Sequence, residues 1–205
     1  MIGFVKDQHV YIKCPKNGCS TYSTFLARHG WTEINLFENN LDLNSMVLWG
    51  HVTDPHQRHT KGVAQYITDN ENIDINDPVI GRMLVSAVFD EHTYSLSMML
   101  STLWHLNICW IPLDTEITWW HPYPKSQQQL SGDDLTNLWF LEQGLDLKIT
   151  LQDRRNVGNI RDLYESINHY KEKYNLNYQK LVKNFLEPDL ILYNRTVDYF
   201  RKKYQ

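Results

Sequence analysis

Cysteine is scarce in this chain, and long apolar runs are missing. Three cysteines in 205 residues, Cys14, Cys19 and Cys109, cannot all pair within one chain, and none forms a zinc-type Cys-x-x-Cys pair. A disulfide scaffold is thereby excluded, and reduced thiols in a cytoplasmic setting are expected. No uninterrupted apolar stretch reaches the ~18 residues that a membrane-spanning helix needs. The opening Met1-Ile2-Gly3-Phe4-Val5-Lys6-Asp7-Gln8 lacks the basic flank and apolar run of a secretion signal, so neither membrane insertion nor export is expected. There is no basic excess either. Twenty Lys and Arg against 24 Asp and Glu leave a net charge of −4, which argues against general nucleic-acid binding, because that requires a basic surface to displace counterions. His56 and His59 stand three apart but have no carboxylate or cysteine at ligand spacing, so they read as solvated histidines and no metal is expected. Repeats, low-complexity tracts and Gly/Ser-rich or Pro-rich linkers are also missing. The length suits a single domain over residues 1–205 with one sizeable core.

What is present is an alternation of strands and helices. His9 to Lys13 reads as a short β-branched and aromatic strand, and Thr21 to Arg28 as the helix after it. Met46 to Val52 reads as a second buried strand with a helix from Gln57 to Thr68, and Ile108 to Leu113 as a third strand. Between these, Pro78 to Phe89 and Ser95 to Leu106 carry apolar residues at helical spacing. Ser131-Gly132-Asp133-Asp134 has the pattern of a capping box. Ile160 to Tyr174, Tyr178 to Leu186 and Asp189 to Tyr204 read as helices. This order predicts an α/β fold: three layers, a central and mainly parallel sheet flanked by helices, and a helical C-terminal part.

The segment Cys14-Pro15-Lys16-Asn17-Gly18-Cys19-Ser20-Thr21 lies between the first strand and its helix. The N–H groups that open a helix lack intrahelical partners and carry the positive end of its dipole, so a phosphate placed there gains hydrogen bonds at no expense to the helix. Lys16 adds a mobile positive charge. The strict nucleotide triphosphatase loop, Gly-x-x-x-x-Gly-Lys-[Ser/Thr], puts lysine after the glycine, whereas here it comes before; an ordinary kinase is therefore disfavoured. The plainer alternative is a strand-to-helix turn in which Gly18 supplies a positive φ and Ser20 or Thr21 caps the helix.

Pro-Lys-x-Gly-x-Ser-Thr after a strand resembles the 5′-phosphosulfate loop of sulfotransferases, which use 3′-phosphoadenosine 5′-phosphosulfate (PAPS) as donor. A second likeness lies in Val52-Thr53-Asp54-Pro55-His56-Gln57-Arg58-His59-Thr60-Lys61, similar to the family's Arg-Asp-Pro-x-x-Arg-x-x-Ser segment. Asp54, Pro55 and Arg58 match; Thr53 and Lys61 stand where the family has arginine and serine. A weaker third likeness covers Phe185 to Asn194. The resemblance implies the P-loop-like sulfotransferase fold, PAPS as donor, 3′-phosphoadenosine 5′-phosphate (PAP) as product, a hydroxyl acceptor on a carbohydrate, no metal, and a soluble member of prokaryotic or viral type. It implies that Lys16 contacts the 5′-phosphate and the bridging oxygen, while Ser20, Thr21 and the backbone around Asn17, Gly18 and Cys19 hold the remaining oxygens. Thr53 and Lys61 then take the 3′-phosphate positions beside Arg58, the first as a neutral donor and the second as a charged one. Arg154 and Arg155 either close over that phosphate or form a solvated basic pair.

Sulfuryl transfer is an in-line displacement that needs a base for the acceptor hydroxyl and positive charge on the leaving phosphate. His92, within Asp90-Glu91-His92-Thr93-Tyr94, ranks first as base, ahead of His51 and Glu116. Trp119-Trp120-His121-Pro122-Tyr123-Pro124 offers flat faces for a sugar or adenine, or else a lid over the core. Two rival readings remain: a degenerate nucleotide-binding or interaction protein of the same fold, and an atypical ATP-dependent phosphotransferase.

Overall fold

The computed structural model describes residues 1–38, 40–70, 73–122, 125–153 and 161–204. In chain order its elements are β1 (Ile2–Lys6), β2 (His9–Ile12), α1 (Cys19–Arg28), β3 (Thr32–Asn35), β4 (Val47–Val52), α2 (Pro55–Asp69), α3 (Pro78–Val85), α4 (Leu96–Leu100), β5 (Ile108–Pro112), β6 (Ile117–Pro122), β7 (Lys125–Leu130), α5 (Gly132–Glu142), α6 (Arg161–Lys173), α7 (Asn175–Leu181) and α8 (Glu187–Tyr204). They group into two compact units that interleave along the sequence. The first comprises Met1–Thr53, Thr102–Arg155 and Leu192–Gln205; the second comprises Asp54–Ser101 and Asn156–Ile191. Among the described residues no helix is long and apolar enough to cross a membrane.

The first unit is built on a five-stranded sheet of order β3-β1-β2-β4-β5. Strands β2, β4 and β5 run parallel, while β1 is antiparallel to both β2 and β3. The sheet is therefore mixed, in place of the mainly parallel one expected. The physical reason is the tight turn after Lys6: Asp7 adopts a left-handed φ of 52°, a conformation that Asp tolerates better than most residues, and this returns the chain as a hairpin. A second hairpin, β6 and β7, follows β5. The aromatic richness of the sequence is consumed here. Trp49 is fully buried, with ring centroids 4.7 Å from Tyr11, 4.7 Å from Trp139 and 5.3 Å from Phe140. Ser131 caps α5 in the expected capping box with Asp134.

The second unit is helical. Val63 and Ala64 of α2, Leu84 and Val85 of α3, and Ile167 and Tyr170 of α6 share one core. Asp54 and Asp77 cap α2 and α3, each followed by proline at the first helical position, the arrangement in which proline's missing N–H goes unfelt. Between α7 and α8 the chain makes one π-helical turn, Val182–Leu186. Pro188 cannot donate to the carbonyl four residues back, and a widened turn absorbs the missing bond.

One carboxylate ties this unit together. Asp189 is fully buried, accepts from the Arg58 guanidinium at 2.7 Å, and accepts the N–H groups of Leu96 at 2.6 Å and Ser97 at 3.3 Å. The two side chains form a buried ion pair, with exposures of 1% and 0%. Removing the carboxylate takes from a buried guanidinium the countercharge 2.7 Å away. Asp189→Ala is expected to cost about 3–5 kcal/mol in chemical denaturation; a loss below about 1 kcal/mol would mean the pair is not the anchor described.

Candidate functional site

The loop after β2 closes on itself. Cys14 accepts the Asn17 N–H at 3.3 Å, and both Lys16 (φ 62°) and Gly18 (φ 72°) are left-handed. Such a φ costs a lysine roughly 1 kcal/mol or more, a kind of strain that concentrates at functional sites. Gly18 is required twice over, because a Cβ there would also stand 2.6 Å from Leu113 Cδ1. Gly18 is the N-cap of α1 and provides no side-chain cap, and the first turn of α1 contains no acidic residue. The backbone N–H groups of Cys19, Ser20 and Thr21 thus open the helix without intrahelical partners. Ser20 is exposed, Thr21 is half-buried, and Lys16 is half-buried beside them. Neither hydroxyl caps the helix, so the capping role weighed from sequence is not filled.

Adjacent parallel strands bring the two motifs together at their carboxyl ends. Asn17 Oδ1 accepts from the Thr53 hydroxyl at 2.7 Å and from the Thr53 N–H at 3.2 Å. Asn17 and Thr53 are buried to 1% and 3% exposure. Asn17 Nδ2 is also buried and has no acceptor among the described residues. Thr53 has one hydroxyl proton and one N–H, and both go to Asn17. It has no donor left for a 3′-phosphate, and its observed role is to fix the loop.

The rest of the second motif lies in the second unit. Asp54 accepts from the His56 N–H at 2.8 Å and the Gln57 N–H at 3.1 Å as the cap of α2. Arg58 is held by Asp189 and by the Tyr94 carbonyl, so it is a structural residue and not a nucleotide ligand. Lys61 is half-buried and lines a cavity of about 540 Å³. The expectation of solvated histidines fails for its neighbours. His59 is 1% exposed and donates from Nε2 to the Ala87 carbonyl at 3.1 Å, and His56 Nδ1 bonds the Tyr178 hydroxyl at 2.7 Å.

Of the three possible bases, His92 has the most suitable surroundings. Its Nδ1 lies 3.1 Å from Asp90 Oδ2, its own N–H donates to Asp90 Oδ1 at 3.1 Å, and its side chain is 27% exposed. A base oriented by a carboxylate on one ring nitrogen keeps the other available as acceptor. Asp90 was not singled out from sequence; its position two residues before His92 was the available signal. His92 belongs to the second unit and Lys16 to the first. His51 is a core residue instead of a base. It is fully buried, with Nε2 3.1 Å from Thr136 Oγ1, Nδ1 3.4 Å from the Tyr11 hydroxyl, and its ring 3.8 Å from that of Tyr22. Thr136 donates to the Gly132 carbonyl at 2.8 Å, so it accepts from His51 Nε2–H, while Nδ1 accepts from Tyr11. Both nitrogens are thus occupied. Glu116 is exposed on the connection between β5 and β6.

Arg154 and Arg155 lie outside the described residues. So do Tyr123 and Pro124 of the aromatic segment, whose flanks form the β6–β7 hairpin in place of a loop. Among the described residues the three cysteines form no disulfide, and no group of histidines, cysteines and carboxylates could hold a metal ion.

No protein-family model, curated protein or solved structure matches this chain.

Burial pushes the His51 pKa from 6.5 down to about 3. Between those values the unfolded chain binds a proton that folded His51 refuses, so stability falls as pH is lowered through that window. His51→Gln is expected to flatten the dependence of the unfolding free energy on pH from about 6.5 to 4, read from denaturation midpoints. An unchanged slope would show that His51 is not held neutral.

Proposed function

We propose that the chain transfers a sulfuryl group from PAPS to a hydroxyl acceptor on a carbohydrate, within a P-loop-like sulfotransferase fold. The observation that carries this reading is the opening of α1: uncapped, free of acidic residues, and preceded by a left-handed Lys16 at the carboxyl end of β2. Ligands of open α/β sheets gather at such strand ends. An oxyanion there meets oriented N–H groups and a lysine charge together, which is what a departing phosphate requires.

In the proposed step the acceptor oxygen attacks sulfur in line with the bridging S–O bond. A new O–S bond forms, the bridging bond breaks, and its electron pair leaves with the 5′-phosphate of PAP. The acceptor proton passes to a general base; Asp90 orients His92 for a role of that kind. Lys16 and the α1 N–H groups stabilise the charge that grows on the bridging oxygen.

A second reading, nucleotide binding without transfer, is favoured by a specific observation. Thr53, one of the two motif positions assigned to the 3′-phosphate, is engaged by Asn17, and Arg58 beside it by Asp189. Lys61, the other of the two, lines the cavity of about 540 Å³.

Lys16→Ala is expected to reduce sulfuryl transfer from PAPS by at least about a hundredfold while weakening PAP binding much less, since the lysine charge matters most as the bridging bond breaks. Unchanged turnover on a working acceptor would overturn the mechanism. Binding of PAP with no transfer to any hydroxyl acceptor by the wild-type chain would favour the second reading. His92→Ala is expected to lower kcat by about 10²–10⁴-fold with PAP affinity intact; loss of PAP affinity with kcat preserved would remove His92 from the role of base.

A further inference from the structure

The second unit holds a buried cation with no countercharge in contact among the described residues. Lys171 of α6 is 7% exposed, and its ammonium donates to the His56 carbonyl at 2.9 Å, Thr60 Oγ1 at 2.7 Å and the Tyr178 hydroxyl at 3.2 Å. Its Nζ also stands 4.5 Å from the centre of the Tyr178 ring. These partners satisfy all three N–H bonds, yet every one is neutral. Buried charges are ordinarily paired, because hydrogen bonds alone do not replace lost solvation.

Lys171 is part of the wall of the cavity of about 540 Å³ that Lys61, His56 and Gln57 also line, a volume typical of small-molecule sites. The bond order within the wall fixes what it presents. Tyr178 accepts from Lys171 and lies 2.7 Å from His56 Nδ1, to which its own hydroxyl proton can be donated in the tautomer that carries hydrogen on Nε2. His56 Nε2 then carries a hydrogen and has no acceptor among the described residues. Lys61 likewise has no hydrogen-bond or ion-pair partner among the described residues, and Gln57 adds an exposed amide. The wall thus combines a buried positive charge, a mobile ammonium and two neutral donors. Against these stands Glu172, exposed on α6 and also lining the cavity.

We infer that this cavity binds the phosphate or sulfate group of a small molecule, with Lys61 and His56 Nε2 donating to the anion and Lys171 supplying charge from behind. Tyr164, half-buried on the same wall, offers an aromatic face to the remainder of the ligand. The inference does not depend on sulfuryl transfer: it concerns the second unit alone and holds for a free tetrahedral anion.

Charge in the empty cavity is pH-sensitive. Burial brings the Lys171 pKa down to about 7, opposed by Asp54. Burial also lowers His56, opposed by Asp54 and reinforced by Lys171. The other titratable groups around Lys171 are Lys61 and His59 of α2, Tyr164 and Glu172 of α6, and Tyr178 of α7. Bound anion favours the protonated form of Lys171, so affinity falls as pH rises through about 7.

The test is an NMR titration of the full chain with sodium sulfate at constant ionic strength, chloride making up the balance. Sulfate keeps its charge near neutrality, so the pH dependence belongs to the protein. Saturable shifts are expected at the amides of Thr60, Lys61 and Lys171, weaker at higher pH. Lys61→Ala and His56→Gln, both at half-buried positions, should each reduce affinity by about tenfold. Lys16→Ala should leave the response intact, which separates this cavity from the cradle of the first unit. No saturable shift in the wild-type chain, or a response that survives both cavity variants and disappears in Lys16→Ala, overturns the inference.

Discussion

The first unit turns on one side-chain carbonyl. Asn17 Oδ1 takes both donors of Thr53, and in doing so clamps the loop after β2 to the end of β4, its parallel neighbour. With Asn17 fixed, the residues on either side must reverse direction within a short span, and Lys16 and Gly18 both do so in the left-handed region. The reversal presents the start of α1 without a side-chain cap. Strain, an orphan donor on Asn17 and an uncapped helix dipole are therefore consequences of one contact, and together they describe a place where an anion is favoured. The same contact explains Thr53: a short hydroxyl residue fits beside a buried amide where a long guanidinium would not.

The second unit is organised around buried charge. Asp189 draws α2, α4 and the beginning of α8 together through Arg58 and two backbone N–H groups. Lys171 connects α6 to α2 and α7 through neutral acceptors. The two centres differ in electrostatic completeness. The first is an ion pair with its partners in place, and it behaves as structure. The second is a cation held by neutral acceptors, with Asp54 acting on it only through space.

Much of the fold was legible where local chemistry decides it. β2, β4 and β5 appear as short runs of β-branched and aromatic residues, and the caps Asp54 and Ser131 with their following residues mark where α2 and α5 begin. Less visible were β1 and β3, five and four residues long, whose pairing depends on a turn at Asp7 that no glycine announces. The β6–β7 hairpin was hidden because Pro122 and Pro124 read as loop punctuation. The expected helix from Ser95 ends at Leu100, where Ser101 turns to a φ of 46°. The turn from β2 into α1 was readable from Lys16 to Thr21, but the occupation of Thr53 and Arg58 was not. Their partners lie 36 and 131 residues away, and only the folded chain brings such groups together. Lys171 escaped notice for the same reason, since on a surface helix a lone lysine is the most ordinary of residues.

The central claim is that residues 14–21 form a cradle for the 5′-phosphate of an adenine nucleotide that also carries a 3′-phosphate. The most direct measurement is calorimetry of the wild-type chain with PAP, AMP and ATP, each with and without magnesium. The account predicts that PAP binds without metal and more tightly than AMP, and that magnesium confers no affinity for ATP. Failure to bind PAP, or binding of ATP that requires magnesium, would contradict it.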